Sequence, residues 1–123
     1  MSVSWKRLKQ SLVEAKRGLV YTYKNEQNFR IQVVTGILVV IFSLVFPLRN
    51  WERIILYLLI AAVLGMELLN TALERLFDVM VPRMDYQVGV VKEVLAAAVL
   101  LVSIFAVIIG IYILWPQFAN LFI

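Results

Sequence analysis

The chain has 123 residues, 63% of them hydrophobic, with a net charge of +4 and a mean hydropathy of +0.89. A soluble domain of this length cannot bury so much apolar surface, which excludes a water-soluble globular protein. Neither cysteine nor histidine occurs, so disulfides, thiol nucleophiles, imidazole catalysis and the usual zinc ligands are excluded as well.

Residues 4–23 come first. Trp5, Leu8, Leu12, Ala15 and Leu19 recur at helical spacing, with Lys6, Lys9, Lys16 and Arg17 on other faces. That pattern predicts an amphipathic helix lying in a membrane interface, its basic side chains on lipid phosphates. Anionic headgroups account for the basic N-terminus, and no nucleic-acid partner is expected. Three apolar runs follow, at residues 29–47, 51–80 and 90–115. Each can cross ~30 Å of hydrocarbon at ~1.5 Å per residue. Pro47 closes the first, Asn50 is placed to N-cap the second, and Pro82 stops it. Trp115 marks the outer end of the third. The expected fold is an all-α membrane protein, one domain over residues 1–123, with a surface helix and three transmembrane helices.

Charge placement orients these spans. Seven of the twelve Lys and Arg residues precede or open the first span: Lys6, Arg7, Lys9, Lys16, Arg17, Lys24 and Arg30. Arg49 and Arg53 flank the first loop, Arg75, Arg83 and Lys92 the second, and none follows Lys92. The positive-inside rule puts the N-terminus and the second loop in the cytoplasm of a bacterial inner membrane, and the C-terminus outside.

Span two is not uniformly apolar. Glu67, Asn70, Glu74 and Asp78 fall at offsets of three and four, on one face of a helix. A lipid-facing carboxylate costs roughly 3 kcal/mol or more, so this stripe must face protein, water or metal. Counting inward from Ile54, Glu67 lies ~20 Å from the outer boundary, and Glu74 lies at the cytoplasmic interface. Glu26 opens span one, and Lys92 and Glu93 open span three, at that same depth. Clustered carboxylates repel unless a cation sits among them. Oxygen ligands select a hard cation, magnesium first, which keeps positions open for phosphate oxygens. A lysine can neutralise a phosphate, and a carboxylate deeper in the membrane can accept a hydroxyl proton. Together these parts suit phosphoryl transfer from a soluble nucleotide to a lipid alcohol. No P-loop, dinucleotide fingerprint or glycine-rich kinase loop is present, so ATP would need a non-standard site.

The run Glu67-Leu68-Leu69-Asn70-Thr71-Ala72-Leu73-Glu74, followed by Asp78, resembles the signature of the prokaryotic diacylglycerol kinases and their undecaprenol kinase relatives. Asn25-Glu26-Gln27-Asn28-Phe29-Arg30 resembles the family's segment at the start of span one, and Lys92-Glu93 its Lys-Asp segment. The resemblance implies a homotrimer with sites completed between subunits. It implies magnesium on Glu26 and Glu74, and Glu67 as general base with Asn70 beside it. ATP contacts are implied for Arg7, Glu26, Glu74, Arg83, Met84, Asp85, Lys92 and Glu93. Lipid contacts are implied for Arg7, Arg30 and Glu67. Glu93 stands where the family has Asp, and Leu95 where a small residue is common. The Glu26-Gln27-Asn28 run looks more like the undecaprenol kinase branch, with diacylglycerol as the alternative substrate.

Two other classes compete. A small oligomeric transporter would carry its coupling acid near mid-bilayer and show repeats, and neither is seen here. A structural membrane subunit would use the polar stripe only to fix helix packing, so that Glu67→Gln would cost assembly rather than catalysis.

Overall fold

The computed structural model describes residues 2–80 and 86–122, and they form four helices: α1 (Trp5–Asn25), α2 (Gln27–Val45), α3 (Asn50–Met80) and α4 (Tyr86–Leu121). Three of them, α2, α3 and α4, are long and apolar enough to cross a membrane. The chain is a membrane protein, and its many exposed Leu, Ile, Val and Phe side chains have hydrocarbon rather than water to face. Central α3 packs against the other three helices, and α1 also touches α2.

Local chemistry explains the breaks. Ser4 opens α1 in extended conformation, its hydroxyl accepting the Arg7 N–H at 3.3 Å. Only Glu26 separates α1 from α2; its backbone is extended (φ −118°, ψ 112°), and its N–H still donates to the Thr22 carbonyl at 2.8 Å. The α1 carbonyls left open by this break are met by Arg30, whose Nη1 donates to Tyr23 O at 2.9 Å and Lys24 O at 3.0 Å. A cation at a helix C-terminus also suits the helix dipole. Pro47 acts one residue early: Phe46 is forced to extended angles (φ −81°, ψ 148°) and α2 ends at Val45. Asn50 begins α3 instead of capping it. The Glu52 carboxylate reaches back to the Arg49 N–H at 2.9 Å, half of a capping box with Arg49 in the cap position. At the far end, α4 is longer than the apolar run alone, extending from Tyr86 through Pro116 to Leu121.

The buried core lies at the loop end between α2 and α3. Leu48, Leu56, Ile113 and Leu114 form it. Three rings close it: Phe42 and Phe46 stack at 5.8 Å, and Phe118 meets them edge-on at 5.2 and 5.0 Å. A polar clamp sits beside these rings. Arg53 donates through Nε to Ser43 O at 2.7 Å and through Nη2 to Phe46 O at 3.3 Å, while the Ser43 and Tyr57 hydroxyls pair at 2.8 Å. Arg53, counted from sequence as a loop charge, thus satisfies the last carbonyls of α2. Replacing it with methionine keeps the stem and strands those carbonyls. We expect Arg53→Met to lower stability by about 1–3 kcal/mol, read as an earlier thermal melt in detergent.

Candidate active site

The polar stripe of α3 lies at the opposite end from the aromatic core. Glu67 is 4% exposed in a single protomer, so it is turned into the helix bundle and away from lipid. Two neighbours fix it. Gln32, on α2, donates from Nε2 to Glu67 Oε1 at 3.2 Å. Thr71, one turn further along α3, buries its hydroxyl by donating to the Glu67 backbone carbonyl at 2.9 Å. Glu67 Oε2 carries no hydrogen bond among the described residues.

One turn on, Asn70 donates from Nδ2 to Glu74 Oε1 at 3.3 Å, and its Oδ1 is buried with no partner. Glu26 stands on the α1–α2 break, at the N-terminus of α2, where a helix dipole favours a carboxylate. Glu74 stands two turns beyond Glu67 on α3, and Glu26 stands six residues before Gln32, whose amide holds Glu67. The fold thus brings acids from two elements into one neighbourhood. Asp78 pairs with Lys92 across α3 and α4 at 2.9 Å, with side chains 57% and 30% exposed respectively. Neighbouring Arg75 pairs with no acid among the described residues; its guanidinium lies over the Tyr21 ring, 5.4 Å from the centroid.

The remaining sequence candidates are more scattered. Glu93 is exposed on α4, next to Lys92. Arg7 is exposed near the start of α1, far along that helix from Glu26. Arg30 is committed to the α1 carbonyls. Arg83, Met84 and Asp85 lie outside the described residues. Gln32 was missed by the sequence reading. The signal was present: a long amide inside an apolar span must find a polar partner, and Glu67 is the one at its depth.

The donor set can be tested against magnesium. Among the described residues no three acids converge into a ready cage. What the site offers is oxygen only: the Glu26 and Glu74 carboxylates and the unpaired Oδ1 of Asn70. That fits a hard ion held by one or two carboxylates while keeping its remaining positions for water and phosphate.

Residues 14–114 match the prokaryotic diacylglycerol kinase family. A diacylglycerol kinase of Synechocystis is 35% identical over 107 residues, covering 86% of this chain and 61% of the relative. An undecaprenol kinase of Bacillus subtilis is 32% identical over 111 residues, covering 90% of each chain. This chain therefore spans 61% of the length of the first relative and 90% of the second. With the match running from within α1 to within α4, the chain belongs to the prokaryotic diacylglycerol kinase family, a family of lipid kinases.

Proposed function

We propose that this protein transfers the γ-phosphoryl group of ATP to the hydroxyl of a membrane lipid alcohol, with undecaprenol the favoured acceptor. One observation carries the reading: a buried carboxylate, Glu67, held by Gln32 inside an apolar span. In the transfer, the lipid hydroxyl oxygen forms a bond to the γ-phosphorus. The bond from that phosphorus to the β–γ bridging oxygen breaks, and ADP leaves with the electron pair. The hydroxyl proton passes to Glu67. Asn70 keeps Glu74 oriented. Glu26 and Glu74 would hold magnesium, which when bound neutralises phosphate charge.

Lys92 would exchange Asp78 for a nucleotide phosphate, with Glu93, Arg83, Met84 and Asp85 around the nucleotide. Arg7 and Arg30 would serve the headgroup region, and α1 would lie in the cytoplasmic interface. The N-terminus and the α3–α4 connection face the cytoplasm of a bacterial inner membrane in this reading, and three copies assemble so that neighbours complete each site.

Undecaprenol is favoured over diacylglycerol on two grounds. The undecaprenol kinase relative aligns over 90% of both chains. The Glu26-Gln27-Asn28 run also points to that branch. A direct assay decides. Purified protein is incubated with ATP, magnesium and either undecaprenol or diacylglycerol, and lipid phosphate is followed. We expect phosphorylation of both, with the higher kcat/KM on undecaprenol. A preference for diacylglycerol would reverse the substrate assignment, and no transfer to either would end the kinase reading.

A further inference from the structure

Two arginines from different helices meet the last turns of α1. Arg30, on α2, holds the carbonyls of Tyr23 and Lys24 at 2.9 and 3.0 Å. Arg75, on α3, lies over the Tyr21 ring, 5.4 Å from its centroid. Residues 2–21 are all exposed and Thr22 is the first to be buried, so little packing directs the helix. A cleft of about 690 Å³ runs between α1 and α3, with Gly18 and Leu19 on one side and Leu68 and Ala72 on the other. Arg75 reaches across to the ring.

The two contacts constrain different things. Arg30 acts within three residues of Glu26, where the backbone leaves helical angles. A hold so near the break fixes where α1 ends but not which way it points. Direction needs a second hold, further along and from another helix. Tyr21 is five residues, ~7 Å, from Glu26, and its contact comes from α3. Arg75 also directly follows Glu74. The ring contact therefore ties the turn before Glu26 to the turn that carries Glu74.

We propose that Arg75 and Tyr21 are positioning residues that fix the direction of α1 and so aim the Glu26 carboxylate at the divalent ion it would share with Glu74. This rests on the lipid-kinase reading above. Neither side chain has to touch the ion. An exposed cation–π contact shifts a balance between two arrangements by about two- to fivefold, so the effect is graded rather than all-or-none.

Charge supplies a test of sign. If Arg75 acted by charge alone, beside an acid that holds a cation, its removal would tighten magnesium. If it positions, its removal loosens magnesium, and loss of the uncharged ring does the same.

The full chain, in detergent micelles, is assayed for lipid phosphorylation at graded magnesium. Arg75→Ala and Tyr21→Leu should each raise the half-maximal magnesium concentration about two- to fivefold, with kcat at saturating magnesium and KM for the lipid alcohol unchanged. The double variant should be no worse than either single one, because both remove the same contact. Tyr21→Phe keeps the ring and should match the wild type. A second readout needs neither ATP nor magnesium. The chain has no cysteine, so Ser11→Cys on α1 and Ile54→Cys on α3 take nitroxide labels selectively. Diluted with unlabelled protein, the labels report the distance between the two helices. Its distribution should broaden in Arg75→Ala and Tyr21→Leu and stay narrow in Tyr21→Phe. An unchanged distribution overturns the proposal. So does a lower magnesium requirement in Arg75→Ala, or an effect of Arg75→Ala with Tyr21→Leu silent, which would make Arg75 a direct charge or phosphate contact. A wild type that phosphorylates no lipid alcohol ends the kinase reading instead, while the label distances still decide whether the contact directs α1.

Discussion

Glu67→Gln should assemble and melt like the wild type yet lose lipid phosphorylation by about 10²–10⁴-fold, the usual contribution of a positioned general base. Glutamine matches glutamate in shape, and its carbonyl oxygen can still accept the 3.2 Å bond from Gln32. The Thr71 bond goes to the backbone carbonyl at position 67 and survives any side-chain change. Removing a carboxylate from a site that is 4% exposed also removes a desolvation cost, so stability should hold or rise. What disappears is the ability to take a proton from the alcohol. The measurement is initial rate at saturating ATP and lipid, alongside a thermal melt and a sizing profile. Near wild-type turnover in this variant would refute the base assignment. Normal turnover with a broken assembly would instead identify the stripe as a packing device.

Glu74→Gln is expected to fail differently. Its carboxylate lies one to two turns beyond Glu67, half-exposed, and is oriented by Asn70 at 3.3 Å. An amide there keeps the hydrogen-bonding shape but supplies no negative charge to a cation. Even partners that merely orient a metal ligand cost about 10–100-fold in affinity when lost, and a ligand itself should cost no less. The concentration of magnesium giving half-maximal rate should therefore rise at least ~10-fold, with turnover partly recovered at high magnesium. Glu67→Gln should show no such recovery. Titrating magnesium against both variants separates proton transfer from metal binding, and equal magnesium curves would remove Glu74 from the ion.

Much of this was legible in the chain itself. The spans could be read because bilayer thickness imposes length, and the stripe Glu67, Asn70, Glu74, Asp78 because a carboxylate among apolar neighbours is costly. What escaped were contacts made across helices. Gln32 looked like any polar residue near a span's start until α2 was laid beside α3. Asp78 had equally plausible partners in Arg75 and Arg83, and only the packing of α4 gave it Lys92. Arg53 counted as a loop charge, because nothing local says that its side chain folds back onto another helix's carbonyls. The α1–α2 break has no proline or glycine to announce it; Arg30 stabilises it from a distance of six and seven residues. The extension of α4 past Pro116 went unseen because the proline suggested an end, though the lipid-exposed helix tolerates it.

The two ends of α2 are tethered unequally. Near its C-terminus the Arg53 guanidinium and three rings pin it to α3 and α4. At its N-terminus the backbone passes to α1 through a single extended residue, and Arg30 and Gln32 add side-chain bonds to α1 and α3. Glu26 is thus both a carboxylate and the joint in the backbone, so the angles that set the course of α1 against α2 also set where that acid stands.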